Sequence, residues 1–269
     1  DYLLRIDETA LIRSVSRAFH AAGKKVVVML NICGVIEMAS WQDMVDAVMI
    51  CWQPGQEGGN SVAAVLAGEV SPSGHLPMTI PVRYADVPAQ NFPTNVPETG
   101  LNQSYEHYST SVKYTDIPNI DYTDYEEDIY VGYRYYATAG VPVSYPFGFG
   151  LTYSDFELSD LKLERDGERI TASVQVRNVG KRPAKQVVQL YASAPEGTPD
   201  RPVVELKGYC KTATLRPSES CRVSIVLRID DLAIWQGGKT EEWTIPAGEW
   251  KLSVGTASND LPLSGKIVL

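Results

Sequence analysis

The chain has 269 residues, of which 44% are hydrophobic and 21% charged, with a formal net charge of -9. This length holds one large domain or two ordinary ones, and the composition is that of a globular protein. No run reaches the roughly 18 apolar residues of a membrane span, and the first residues lack the layout of a signal peptide. The acidic pI, near 4.9, argues against nucleic acid as a partner. We expect a soluble protein with no membrane or nucleic-acid partner, either cytoplasmic or exported.

Residues 1–89 predict part of an α/β layer sandwich, because helical periodicity alternates with continuous apolar runs. Such runs indicate parallel strands that are buried on both faces. Two parallel strands alone make an unstable sheet, so we expect the remaining strands to come from elsewhere. In chain order the predicted elements are a helix capped by Asp7 and ended by Gly23, a strand over 26–30, a short helix over 37–45, a strand over 47–52, and a helix over 61–66 that ends at Gly68.

Residues 90–153 form a connector with little periodicity, and eleven of the 15 tyrosines lie between Tyr105 and Tyr153. A segment of this length inside a compact protein commonly lies over the surfaces of other elements. A tyrosine ring can pack at one end while its hydroxyl reaches water or a backbone group. We interpret the segment as a tie between domains, and a carbohydrate-binding surface remains the alternative.

Residues 154–269 predict a β-sandwich of the immunoglobulin or fibronectin type III kind. Apolar residues alternate strictly with polar ones over 170–177, and shorter alternations occur over 223–227 and 250–254. Turn signals such as Asp166-Gly167 and Pro246-Ala247-Gly248 separate these runs. The expected fold class is therefore α/β followed by all-β.

The four cysteines form no C-x-x-C pair, so a zinc or thioredoxin-like site has no support. Cys33 and Cys51 lie in or beside apolar runs, which predicts buried thiols. Cys210 and Cys221 flank a turn around Pro217, where both a disulfide and free thiols remain open.

Residues that commonly carry chemistry stand in no strong motif. His20, His75 and His107 are isolated, and no G-x-S-x-G elbow anchors a serine triad. The glycine-rich stretch at 55–59 lacks the Lys-Ser/Thr of a phosphate loop, and Glu57 would repel a phosphate. An acidic cluster lacks the calcium-loop pattern, so we expect a solvated turn that pairs partly with Arg134; it comprises Asp121, Asp124, Glu126, Glu127 and Asp128. We expect no metal and no cofactor.

Several long phrases occur in a fixed order and together resemble the C-terminal half of glycoside hydrolase family 3, in its bacterial β-glucosidase branch. The phrases are residues 24–31 with 39–41, WQPGQEGG at 52–59, PSGHLPMT at 72–79, YEEDIYVGYRYY at 125–136 and YPFGFGLTY at 145–153. The resemblance covers essentially the whole chain. It implies that the sandwich after Ser154 is similar to that family's fibronectin type III-like module.

The resemblance also implies where the chemistry lies. Members of the family hydrolyse β-linked sugars with retention, using two carboxylates about 5–5.5 Å apart. The nucleophile is an Asp in a Ser-Asp-Trp-like stretch of an N-terminal barrel, and the acid/base is a Glu in a Gly-Glu-Gly-x-Asp-Arg-like stretch just before the position of Asp1. Neither stretch occurs in this sequence. We therefore assign no catalytic residue here and expect this chain alone to be inactive.

Two short echoes of those stretches are rejected: Ser154-Asp155-Phe156 opens the β-module, and Gly167-Glu168-Arg169 lies at a predicted hairpin turn. Ligands of open α/β sheets collect beyond the carboxyl ends of the strands. These ends are residues 31–34 and 53–57, so Gln56 and Glu57 are weak candidates for bracing a cleft wall. The alternative is that these residues serve capping and turn formation for the following helix.

The predicted function is thus the C-terminal portion of a retaining β-glucosidase acting on a β-glucoside or cello-oligosaccharide. Its expected partner is the N-terminal barrel portion of the same enzyme, on the same or a separate chain, and a homo-oligomer is possible. Two alternatives remain open. One is a non-catalytic module that holds sugars or a partner subunit, and the other is a portion of a related β-xylosidase or β-N-acetylglucosaminidase.

Overall fold

The structure, a computed structural model, describes residues 2–88, 127–237 and 241–269. Its first part is α/β, as the sequence predicts. The elements are α1 (Ile6–Ala21), β1 (Val27–Leu30), β2 (Ala47–Ile50), α2 (Gly58–Leu66), β3 (Ile80–Pro81), α3 (Tyr133–Ala139) and β4 (Val143–Tyr145), with 3₁₀ turns at Gln42–Met44 and Tyr84–Asp86. The strands β1 and β2 pair in parallel with Val27 opposite Ala47. The strands β3 and β4 form a small antiparallel pair.

The predicted cap of the first helix is wrong by two residues. Arg5, not Asp7, is the N-cap. The Glu8 carboxylate accepts the backbone N–H of Arg5 at 2.8 Å, while Asp7 binds the Arg5 guanidinium. A helix can therefore begin at Arg5, because a carboxylate three residues on satisfies its exposed N–H group. Its end is as predicted, since Gly23 has a φ of +67° directly after the last turn.

The helix predicted over residues 37–45 is also wrong, since only the 3₁₀ turn Gln42–Met44 forms there. The Trp41 indole N–H donates to the carbonyl oxygen of Glu37 at 2.7 Å. In an α-helix that oxygen would accept the backbone N–H of Trp41. The indole occupies the acceptor, so the chain turns at Glu37 instead of continuing as a helix.

The two predicted parallel strands exist, but they are not buried on both faces. Val27 is 44% exposed and Met29 52% exposed, whereas Leu30 is buried. The covered face packs into a small core that includes Met38 and Trp41. Within the described residues, β1 and β2 pair only with each other. The strand β1 is therefore apolar on both faces, but the described residues cover only one of them.

The second part is the predicted β-sandwich. The strands are β5 (Phe156–Asp166), β6 (Arg169–Asn178), β7 (Val187–Ser193), β8 (Glu205–Lys211), β9 (Ser220–Arg228), β10 (Ile234–Gln236), β11 (Glu242–Thr244), β12 (Glu249–Gly255) and β13 (Leu263–Val268). The two described sheets have the orders β13-β12-β7-β8 and β5-β6-β9. A separate antiparallel ribbon, β10-β11, lies beside the 3₁₀ turn Ile229–Leu232.

The alternating pattern of β6 is confirmed by its burial. Ile170, Ala172, Val174 and Val176 are all buried, while the residues between them face outward or are half-buried. They pack between the sheets with side chains of β7, β9 and β12, among which Trp250 is fully buried. Apolar residues two apart share one face of a strand, so the sequence alone identifies this core.

The thiols differ in part from expectation. Cys33 is exposed rather than buried, and Cys51 is half-buried, with its pKa raised by that burial. Cys210 and Cys221 lie on β8 and β9 as free thiols, so the open alternative of a disulfide is not what the structure holds. No helix among the described residues is long and apolar enough to cross a membrane.

Candidate functional site

The carboxyl ends of β1 and β2 meet at one edge, as predicted, because the Cys51 N–H donates to the Leu30 carbonyl at 2.8 Å. The chain leaves β2 through Trp52, a bulky residue with a φ of +52°. Residues other than glycine rarely adopt this conformation, and such strained positions cluster at functional sites. Gln56 and Glu57 lie beyond it, both exposed. This edge is therefore open to a neighbouring surface.

Glu57 is the N-cap residue of α2, but its carboxylate makes no cap hydrogen bond. The carboxylate instead accepts the Asn60 amide N–H at 2.6 Å on the exposed surface. Glu57 therefore begins the helix with its backbone, since its carbonyl accepts the Ser61 N–H at 3.0 Å. The alternative of capping and turn formation for the following helix is therefore met by the Glu57 backbone at the N-cap position, while its side chain makes no cap hydrogen bond.

Glu37 is a buried carboxylate that sequence reasoning missed as a site residue. One of its oxygens accepts the Ser40 N–H at 2.6 Å, and the other accepts the Ser40 hydroxyl at 2.7 Å. The pKa of the neighbouring Tyr2 is raised to about 12, first by burial and then by the charges of Glu37 and Asp86. Both oxygens of Glu37 are thus occupied by its own turn, which suits a structural role better than catalysis. Serine three residues after the glutamate is the sequence signal for this turn.

The other buried carboxylate among the described residues, Glu205, lies where the two parts of the chain meet. It forms ion pairs with Arg201 and, at 4.0 Å, with Arg134 of α3. The sequence predicts that Arg134 pairs partly with an acidic cluster, but Asp121, Asp124 and Glu126 of that cluster lie outside the described residues. Among the described residues, Arg134 pairs with Glu205. Glu205 lies between two guanidinium groups, so its carboxylate links α3 to the sandwich and is not a free acid.

The carboxylates whose pKa is clearly shifted point away from acid catalysis. The pKa of Asp46 is lowered by hydrogen bonds from Lys25, the Val26 N–H and His20, and that of Asp86 is lowered by Arg83. A catalytic acid needs the opposite shift. Among the described residues, no group of three or more His, Cys, Asp or Glu side chains could hold a metal ion.

The two rejected echoes occupy structural positions. The carbonyl oxygen of Asp155 accepts the N–H groups of Val179 and Gly180, just before β5 begins. Glu168 lies in the turn of the β5–β6 hairpin, and its carbonyl accepts the Ile229 N–H at 2.9 Å. The geometry therefore gives each of these segments a role in the sandwich.

The joint between the two parts is built around His75, whose role the sequence left open. His75 Nδ1 donates to the carbonyl of Gly148, and its Nε2 lies 3.1 Å from the side-chain oxygen of Gln186 on the sandwich. The same Gly148 carbonyl accepts the Gln189 amide N–H at 3.1 Å. Gly148 has a φ of +81°, and a Cβ there would collide with Gln189. Gly148 of the YPFGFGLTY phrase was the available sequence signal for this contact, because a glycine permits such a close approach.

His20 lies on the surface, where its Nε2 is 2.8 Å from Asp46. His107 lies outside the described residues, as does most of the predicted connector. The described end of that connector contacts both the sandwich and the α/β part. The Val203 N–H donates to the Thr138 hydroxyl at 3.1 Å, and the Tyr153 hydroxyl donates to the Val65 carbonyl at 2.8 Å.

Comparisons with known families match both parts of the chain. The model of the glycosyl hydrolase family 3 C-terminal domain matches residues 2–153, and that of the fibronectin type III-like domain matches residues 186–258. The first match alone covers more than half of the chain. The predicted resemblance and fold class are confirmed by these matches.

Similar proteins are considerably longer than this chain. The chain is 37% identical to β-glucosidase A of Butyrivibrio fibrisolvens, covering 98% of this chain and 31% of that protein. It is 35% identical to an exo-α-(1→6)-L-arabinopyranosidase of Bifidobacterium longum, covering 90% of this chain and 29% of that protein. The solved β-glucosidase 3B of Thermotoga neapolitana, in complex with α-D-glucose, is 44% identical with a TM-score of 0.86, covering 100% of this chain and 34% of that one. The chain thus spans about a third of the length of these relatives.

Proposed function

Because this chain belongs to glycosyl hydrolase family 3, whose C-terminal domain it matches over residues 2–153, we propose that it is the C-terminal portion of a retaining β-glucosidase. The substrate is a β-glucoside or cello-oligosaccharide with a terminal β-linked glucose. Two carboxylates from sequence outside this chain perform the reaction, one attacking the anomeric carbon and the other protonating the leaving oxygen and then activating water. This chain braces the N-terminal barrel portion that carries them.

The observation that carries the proposal is the similarity, over the whole of this chain, to a solved β-glucosidase with glucose bound, at 44% identity and a TM-score of 0.86. The local chemistry is compatible with it. Both buried carboxylates of the described residues, Glu37 and Glu205, are already occupied by hydrogen bonds or ion pairs. This is expected of a portion that supports the active site, because the reacting carboxylates then belong to the other portion of the enzyme.

The deciding experiment compares this chain alone with the same chain joined to its upstream portion, using an aryl β-glucoside as substrate. We expect turnover only when the upstream portion is present. Turnover by the 269 residues alone would overturn the proposal. A second series with aryl β-xyloside, aryl β-N-acetylglucosaminide and aryl α-L-arabinopyranoside tests the sugar, because one of the relatives is named for the last activity. We expect the β-glucoside to have the highest kcat/KM.

The exposed residues beyond the carboxyl ends of β1 and β2 allow the proposal to be tested by substitution. We assign Gln56 and Glu57 to the surface that braces the catalytic loops, because both are exposed beyond the strained Trp52. Gln56→Ala and Glu57→Ala in the joined enzyme should each lower kcat, with thermal stability unchanged. Glu69→Ala is the matched control, since this exposed residue lies just after α2. Equal kcat in the unmodified enzyme and the three variants would show that this assignment is wrong, but it would not contradict the proposed reaction.

A second candidate function, a module that binds sugar chains, is favoured by one observation. Trp235 and Trp243 are directly paired across β10 and β11, with ring centroids 5.6 Å apart, and are 51% and 69% exposed. Exposed aromatic rings can stack on sugars as well as on each other. Titration of this chain with cello-oligosaccharides, followed by tryptophan fluorescence, should saturate if the pair binds them. An unchanged spectrum would leave the pair with a structural role only.

A further inference from the structure

A cavity of about 370 Å³ lies where α3, the β3–β4 pair and the turn after β12 come together. Its wall includes Thr79, Tyr133, Tyr136, Ser258 and Asn259. Ligand pockets commonly have volumes of about 300–1,000 Å³, so this one is at the small end of that range. It has room for one small molecule rather than for a long chain.

The described wall of the cavity carries no group that is charged at neutral pH. Its ionisable side chains are tyrosines, and burial raises the pKa of Tyr136 to about 12, so this phenol stays neutral. The wall offers hydroxyl and amide groups beside apolar and aromatic surface. A neutral molecule with several hydroxyl groups and an apolar ring face fits this combination, whereas an anion would find no cation there.

One polar atom of the wall lacks a partner. Thr79 is only 7% exposed, and its hydroxyl oxygen has no hydrogen-bond partner among the described residues. Buried hydroxyl groups are nearly always hydrogen-bonded, so an unpaired one calls for an explanation. Thr79 lines the cavity, but its hydroxyl oxygen is inaccessible in this conformation, so it would meet a ligand hydroxyl there only after a turn about χ1.

Hydrogen bonds and a ring contact fix the backbone next to Ser258 and the ring of Tyr133, which are both part of the wall. The Ser258 N–H donates to the Phe147 carbonyl at 2.9 Å, and the Thr256 N–H donates to the Asp260 carbonyl at 3.0 Å. The ring of Tyr133 stacks on Phe147 with centroids 4.7 Å apart. Fixed walls lower the entropy cost of binding a ligand.

We propose that this cavity binds a single neutral pyranose, such as glucose, at the joint between the two parts of the chain. The proposal goes beyond the proposed hydrolysis, because none of the wall residues is assigned a part in that reaction. Its failure would therefore leave the proposed function standing, and failure of the hydrolysis assay would leave this site standing.

The test is a titration of this chain with D-glucose, followed by calorimetry and by ligand-observed NMR. We expect saturable binding with a millimolar Kd. Ala137 lies on the cavity wall and is exposed on α3, so Ala137→Phe should fill the cavity and weaken binding roughly tenfold or more. Ala139→Phe is the matched control, since Ala139 is exposed on the same helix but is not part of the wall. It should bind glucose like the unmodified chain.

Two further measurements test the chemistry of the site. Thr79→Val keeps the shape of the side chain but removes the hydroxyl, so it should weaken glucose binding about three- to tenfold without lowering the melting temperature. D-glucose 6-phosphate should bind roughly tenfold more weakly than glucose, because the wall offers no cation. No saturable glucose binding, unchanged binding by Ala137→Phe or Thr79→Val, or equal binding of the phosphate would each overturn the proposal.

Discussion

The Tyr133 hydroxyl accepts the backbone N–H of Leu206 at 2.8 Å. This bond joins the first helical turn of α3 to β8, next to the point where the β7–β8 pairing shifts register. An irregular pairing leaves backbone groups without strand partners, and here a side chain from the other part of the molecule satisfies one of them. The ring of Tyr133 also packs edge-on against Tyr191, with centroids 5.9 Å apart. One tyrosine therefore secures both the sandwich and the joint.

Tyr133→Phe tests that bond, since it removes the acceptor and keeps the ring. We expect a loss of about 1 kcal/mol in the free energy of unfolding, because the half-buried N–H of Leu206 loses its partner. Urea unfolding measures it. Tyr209→Phe on the same strand is the control, because Tyr209 is 70% exposed and its change should have little effect. Equal stability of the two variants would show that the bond contributes nothing.

Gly148→Ala should be among the most damaging single-methyl changes at the joint. The position has a φ of +81°, and the added Cβ would collide with the Gln189 side chain. Gly140→Ala is the matched control, with a φ of +66° and open space around the added Cβ. We expect a cost of about 1–2 kcal/mol for the control and at least about 1 kcal/mol more for Gly148→Ala, measured by thermal unfolding. Similar costs would mean that Gln189 moves aside freely.

The sandwich could be predicted from the sequence because its strands carry their own signal. Each alternation of apolar and polar residues, as in Ile170 to Arg177, states which face is buried without reference to distant residues. The joint could not be predicted in this way. Its contacts, such as His75 with Gln186, connect residues 111 positions apart, and no local pattern encodes such a pairing.

Two errors in the first part have different physical causes. The helix predicted over residues 37–45 failed because one side-chain bond, from the Trp41 indole to the Glu37 carbonyl, outweighs helix propensity. The predicted two-sided burial of β1 failed because burial depends on neighbours as well as on apolar character. Val27 and Met29 carry the pattern of a covered strand, yet no described element covers them.

The hydrogen bonds around Asp46 predict a dependence of stability on pH. Its carboxylate pairs with Lys25 at 2.6 Å and accepts the Val26 N–H at 2.9 Å, which lowers its pKa from the ordinary value of 3.8. A lowered pKa in the folded state stabilises the protein above pH 3.8, and this contribution is lost as the pH falls below it. Asp46→Asn should therefore be less stable than the unmodified chain at pH 7, and the difference should shrink by pH 3. Asp43→Asn, at an exposed position nearby, is the control for the loss of one carboxylate charge.

The tryptophan pair should stabilise its own ribbon whether or not it binds a ligand. Trp235 and Trp243 face each other across β10 and β11 at an interplanar angle of 61°. A double-mutant cycle with Trp235→Ala and Trp243→Ala should give a coupling free energy of about 0.5–1 kcal/mol. A parallel cycle of Trp235→Ala with Val268→Ala should give none, because Val268 lies on a different sheet. No coupling in the first cycle would mean that the rings do not stabilise each other.

The uncovered face of β1 predicts that this chain associates when it is alone. Val27 and Met29 lie two residues apart and so share one exposed face, while the described β1–β2 sheet has only two strands. Apolar faces and open strand edges favour contacts between copies. We expect gel filtration to give a mass above that of a monomer, and the double change Val27→Lys with Met29→Lys to reduce it. Val268→Lys, at an exposed position on β13, is the control and should leave association unchanged. A monomeric unmodified chain at high concentration would contradict the prediction, whereas loss of association on joining the upstream portion would identify this face as its contact surface.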